Sequence, residues 1–100
     1  MTEYQLLWLD TAIISLEPIQ AAIEDVSPSE KIAKRLIKSV YDSVQRLIFF
    51  PRIGQEINEV SRLRRLVVGN DSVFYRVFDE KMQVQIERIM DHHQDTSFLV

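Results

Sequence analysis

The sequence predicts an α+β fold, ordered β-α-α-β-β-β, in which a helical hairpin packs on a small, mostly antiparallel curved sheet. Three observations predict it. A short apolar run with aromatics, Tyr4 to Leu9, opens the chain. Two stretches with apolar residues at helical spacing follow it. Three β-like runs separated by turn-forming residues then fill most of the second half.

In the first run the even positions Tyr4, Leu6 and Trp8 share one face. The odd positions Leu7 and Leu9 are also apolar and offer cover for the other. Asp10 or Thr11 can cap the next segment, where Ala12, Leu16, Ile19, Ile23 and Val26 recur at helical spacing. Pro18 lacks a backbone donor and predicts a bend in this helix. Ser27-Pro28-Ser29-Glu30 is a helix start: Ser27 caps, Pro28 takes the first helical position and Glu30 closes a capping box. The second helix carries Ile32, Ala33, Leu36, Ile37, Val40, Val44, Leu47 and Ile48 as its apolar stripe. Lys31, Lys34, Arg35, Lys38 and Asp42 lie largely elsewhere, as a solvated face or a basic one that could contact DNA. Pro51 ends it and Gly54 marks a turn. So short a link between the helices predicts an antiparallel pair.

Gln55 to Ser61 is polar and reads as a loop or a short extension. The strands follow at Leu63 to Val68, Val73 to Phe78 and Met82 to Met90. Gly69-Asn70-Asp71-Ser72 and Asp79-Glu80-Lys81 separate them and suit hairpin turns. Alternation puts Arg65 on a face with Leu63 and Val67, and Arg64 on the other with Leu66 and Val68. In the last run Met82, Val84 and Ile86 face one way, against Gln83, Gln85 and Glu87. The pattern then breaks, and a bulge near Glu87 and Arg88 would repair it. Thr96 to Val100 shows no structure of its own.

One hundred residues read as a single domain over 1–100. With two glycines and three prolines, a flexible linker is not expected. No cysteine is present, which excludes a disulfide, a thiolate metal site and a cysteine nucleophile. The N-terminus lacks a basic region ahead of its apolar residues, so no signal peptide is expected, and no run is long enough to span a bilayer. The net charge of −3 counts against a protein that binds nucleic acid mainly through phosphates.

Arginines stand out against that acidic background. Arg62, Arg64, Arg65 and Arg76 sit among apolar residues and form a candidate partner-binding set with His92 and His93. Guanidinium groups on a strand face pair with anions, either within the chain or on a partner. His92 and His93 could also act in proton transfer, or simply sit at a strand end held by Asp91 and Asp95. Adjacent side chains on an extended chain diverge, so this pair is not a metal motif, and no metal or cofactor is expected. Tyr4 and Trp8 could stack on bases, or serve as core and edge residues of the first strand.

The element order, with Phe50-Pro51-Arg52-Ile53-Gly54, Leu63-Arg64-Arg65-Leu66, Tyr75-Arg76-Val77 and the closing Asp91-His92-His93-Gln94-Asp95, resembles the RelE/ParE superfamily of toxins from type II toxin–antitoxin systems. The ending resembles the ParE-like branch in particular. The resemblance covers nearly the whole chain. It implies a cytoplasmic toxin in a hetero-oligomer with a cognate, ParD-like antitoxin, whose acidic C-terminal segment lies over it. Operator DNA would be bound only indirectly, through that antitoxin. It implies growth inhibition, a role in plasmid maintenance, and one of two activities. ParE-like members poison DNA gyrase without chemistry of their own, and RelE-like members cleave messenger RNA on the ribosome.

For RNA cleavage the candidate set is Glu56 (or Glu59), Arg65, Arg76 and His92. RelE-like nucleases commonly carry lysines before and within the second strand, and between Arg52 and Val68 this chain has none. Ser72 stands where some carry a catalytic arginine. Cleavage needs groups that activate the 2′-hydroxyl, stabilise the phosphorane and protonate the leaving oxygen, and this set is incomplete. The ParE-like resemblance, taken with this incomplete set, therefore implies a gyrase inhibitor acting by binding, not an enzyme. The alternatives are the nuclease and a non-toxic partner of a repressor antitoxin.

Overall fold

A computed structural model describes residues 3–15 and 30–91. The expected bend at Pro18, the caps at residues 27–29, the histidines and the tail lie outside the described residues. Strand β1 (Gln5–Trp8) opens the fold, and residues 10–15 are helical (α1). Helix α2 (Glu30–Gln45) runs into a 3-10 turn at Arg46–Ile48. Four strands follow: β2 (Gln55–Asn58), β3 (Leu63–Val68), β4 (Asp71–Phe78) and β5 (Gln83–Asp91). The sheet order is β1-β5-β4-β3-β2. The pair β1–β5 is parallel, and the other pairs are antiparallel. The α+β expectation holds, and the sheet remains open at both edges.

Strand β2 lies in the stretch read as a loop or short extension. Its sequence, Gln-Glu-Ile-Asn, carries no apolar alternation, because it is an edge strand joined to β3 through its backbone. Asn58 then turns the chain: its Oδ1 accepts from the backbone N–H of Val60 and of Ser61, at 3.0 and 3.1 Å. Between β3 and β4 the turn needs only Gly69 and Asn70, with the glycine at φ 60°. Asp71 and Ser72, read as turn residues, already belong to β4.

The main core lies between the helices and one face of the sheet. Ala12, Val40, Val44 and Leu47 meet Val68, Val73, Tyr75, Val77, Val84, Ile86 and Ile89, with Tyr4, Leu6, Trp8 and Leu66 packed around them. Val40, Val44 and Leu47 follow the spacing predicted for α2, each closing one more turn of the apolar stripe. Leu7 points away from this core and is 41% exposed. A smaller buried cluster of Leu63, Phe74 and Met90 occupies the other face, called the outer face below.

The Pro51–Gly54 segment is fixed from below by Tyr75. This side chain is fully buried, and its Oη accepts from the Gly54 backbone N–H at 2.9 Å. A Cβ at Gly54 would lie 2.5 Å from that oxygen and 2.9 Å from the Arg65 carbonyl. Close approach of backbone to a buried phenol, not backbone freedom, makes this position a glycine. Burial pushes the Tyr75 hydroxyl above its ordinary pKa. No helix among the described residues is long and apolar enough to cross a membrane.

Candidate functional site

Strand alternation divides the arginines as the sequence predicts. Arg65 pairs in register with Phe74, and Arg76 with Leu63, so both belong to the outer face. The Arg65 Nε donates to Ser72 Oγ at 2.8 Å, and its guanidinium carbon stands 6.0 Å from the Phe74 ring centroid. The Arg76 Nη1 donates to Glu87 Oε1 at 2.7 Å. These side chains are partly buried, so the pair is less screened than a surface ion pair. Arg88, in register with Phe74 from β5, lies beside them. Val67 and Leu7 add apolar surface to the same face, and Val67 is 57% exposed. The outer face thus combines guanidinium groups with exposed apolar side chains, a combination suited to a peptide carrying both carboxylates and apolar anchors.

Arg64 points the other way and is engaged within the chain. Its Nη1 donates to the carbonyls of Gly54 (2.6 Å) and Arg52 (3.3 Å), and its Nη2 reaches Glu56 Oε2 at 3.4 Å. It braces the Pro51–Gly54 turn against β3. Arg62 holds a left-handed backbone, φ 61°, just before β3. Among the described residues its side chain makes no hydrogen bond or ion pair, though its charge adds a small part to the lowering of the Asp79 pKa. It lines a polar cleft of about 370 Å³ with Arg52, Glu56, Glu59, Arg64, Val77 and Asp79.

Of the candidate nuclease residues, Arg65 and Arg76 share the outer face. Glu56 pairs with Arg64 in register and by charge, so it lies across the sheet from Arg65 and Arg76. His92 and His93 fall outside the described residues.

One cluster escaped the sequence reading. Tyr4 Oη donates to Asp79 Oδ1 at 2.7 Å, and Arg52 forms an ion pair with the same carboxylate. The hydrogen bond from Tyr4, and then that from Arg52, hold the Asp79 carboxyl below its ordinary pKa. The Tyr4 hydroxyl is raised, chiefly by the same bond to Asp79. The three residues tie the start of β1, the turn after α2 and the β4–β5 connection together. They come from distant parts of the chain and are polar, so neither spacing nor hydropathy announces them.

The α+β fold, with helices ahead of an antiparallel strand set, is shared with solved toxin–antitoxin structures. A chain of the chromosomal ParDE system from P. aeruginosa superposes with a TM-score of 0.72 at 22% identity, covering 91% of this chain and 98% of that one. A chain of the RelBE2 toxin–antitoxin complex from Mycobacterium tuberculosis gives 0.59 at 20% identity, covering 90% and 99%. The isolated E. coli RelE toxin gives 0.55 at 14% identity, covering 95% and 90%. No curated protein sequence matches. The family model described as the ParE toxin of the type II toxin-antitoxin system, parDE, matches residues 6–96, so the chain belongs to the ParE toxin family.

Proposed function

We propose that this ParE-type toxin acts in the cytoplasm by binding DNA gyrase, and that a cognate antitoxin silences it by laying an acidic segment over the outer face. The observation that carries the reading is the placement of Arg65 and Arg76 on one face beside exposed Val67 and Leu7. Carboxylates of the antitoxin would meet the guanidinium groups and set register. Apolar anchors would supply most of the affinity. Several similar folds come from toxin–antitoxin pairs, including the RelBE2 complex, which supports a partner of this kind. A mechanism by binding is favoured because Glu56, the acid of the candidate nuclease set, stands across the sheet from Arg65 and Arg76.

The test is a supercoiling assay with purified toxin and gyrase beside a translation extract carrying a defined messenger RNA. The proposal expects loss of supercoiling and accumulation of linear DNA at micromolar toxin, with the transcript intact. Cleaved transcript with unaffected gyrase would replace it by the nuclease.

A further inference from the structure

We infer that Thr11 and Ser15 are positioning residues: from α1 they clamp a bulge in β5, and the bulge holds Glu87 and Arg88 together on the outer face. The functional weight of this rests on the outer face receiving the partner, as proposed above.

The ladder between β4 and β5 pairs Tyr75 with Ile86 and then Phe74 with Arg88, so Glu87 is the extra residue. Regular alternation would send Arg88 toward the helices and Ile89 outward. The bulge instead keeps Glu87 and Arg88 on the same side, returns Ile89 to the main core at 1% exposure, and delivers Met90 to the outer cluster. The cost of a bulge is backbone groups without ladder partners, and near a buried position they need other partners.

Helix α1 supplies them. The parallel ladder runs along β5 as far as the bond from the Leu9 N–H to the Ile86 carbonyl, at 3.0 Å. Beyond that point no strand among the described residues lies beside β5 on this edge, and side chains take over. Thr11 Oγ1 donates to the Glu87 carbonyl at 2.7 Å. Ser15 Oγ accepts from the Ile89 N–H at 3.0 Å and donates its own proton to the Ala12 carbonyl at 2.6 Å. That second bond commits the hydroxyl proton, so the oxygen faces Ile89 as an acceptor. Thr11 and Ser15 stand four residues apart, hence on one side of α1. The clamp therefore links the helix to the face where Glu87 meets Arg76.

The test compares the full chain with Thr11→Val, Ser15→Ala and the hydroxyl-retaining Thr11→Ser by amide hydrogen exchange and by the NMR signal of the Arg76 Nε–H. Ser15→Ala should speed exchange at Ile89 by roughly fivefold to tenfold, the loss of one hydrogen bond, while Val77 and Val84 exchange as before. Thr11→Val should shift the Arg76 signal, and Thr11→Ser should restore it. Unchanged exchange at Ile89, equal acceleration at Val77 and Val84, or an Arg76 signal indifferent to Thr11 would each overturn the inference. Growth arrest on expression is read alongside. A wild-type chain that leaves growth unaffected strikes the proposed function, whereas the exchange and Arg76 measurements judge the clamp independently.

Discussion

Replacing Gly54 by alanine should destabilise the protein by crowding Tyr75 and the Arg65 carbonyl. The added methyl would sit 2.5 Å from Tyr75 Oη, 2.8 Å from Tyr75 Cε1 and 2.9 Å from the Arg65 carbonyl. Tyr75 is fully buried and Arg65 is held in the ladder, so neither yields freely. Overpacking of this kind costs about 1–3 kcal/mol. Displacing the phenol also forfeits the bond from the Gly54 N–H, worth about 0.5–1.5 kcal/mol. The stiffer unfolded chain offsets about 0.5 kcal/mol. The net is about 1–4 kcal/mol, or a fall in Tm of roughly 5–30 °C for a chain of this size. Tyr75→Phe removes the acceptor and leaves a buried N–H without a partner, costing about 1–3 kcal/mol. Combining the two removes the shortest contact, so the double variant should be less destabilised than the sum of the singles by about 1 kcal/mol. Denaturant unfolding of the four proteins measures this. Strict additivity, or an alanine variant as stable as the parent, would refute the argument.

Arg64→Ala should lower stability by about 1–3 kcal/mol, since the carbonyls of Gly54 and Arg52 lose a charged donor; thermal unfolding reads it. The Asp79 carboxyl is held below its ordinary value of 3.8, so its contribution is present above the unfolded pKa and lost as pH falls through the folded one. The stability difference between parent and Asp79→Asn should therefore shrink as pH drops below about 4, which denaturant titrations at stepped pH will show. Tyr4 shows the opposite limb: its raised pKa means its contribution is present below the ordinary value of 10.0 and lost as pH climbs through the folded one. Tyr4→Phe should flatten that alkaline loss.

Much of this architecture could be read from residues alone, because its faces are written in apolar alternation. The separation of Arg64 from Arg65 followed from period two, and the bulge from the break after Glu87. The short polar strand β2 carried no such signal, since its pairing with β3 uses backbone groups that every residue has. The role of Arg64 was hidden for a related reason: its partners at Gly54 and Arg52 are carbonyls, invisible to charge pairing. Thr11 appeared as a possible cap, whereas the structure turns its hydroxyl to β5, 76 positions away in the chain. Gly54 was legible as a turn, but its reason, a buried phenol, depends on tertiary contact.

The division of the arginines carries the functional account, and antitoxin affinity tests it most directly. The cognate antitoxin is to be captured with the tagged chain, and binding measured for the parent, Arg65→Ala and Arg64→Lys at fixed salt. The account predicts that Arg65→Ala weakens binding at least tenfold, about 1.4 kcal/mol, while Arg64→Lys binds as the parent does and loses only thermal stability. Parent-like binding by Arg65→Ala, with the loss falling on Arg64→Lys instead, would contradict it.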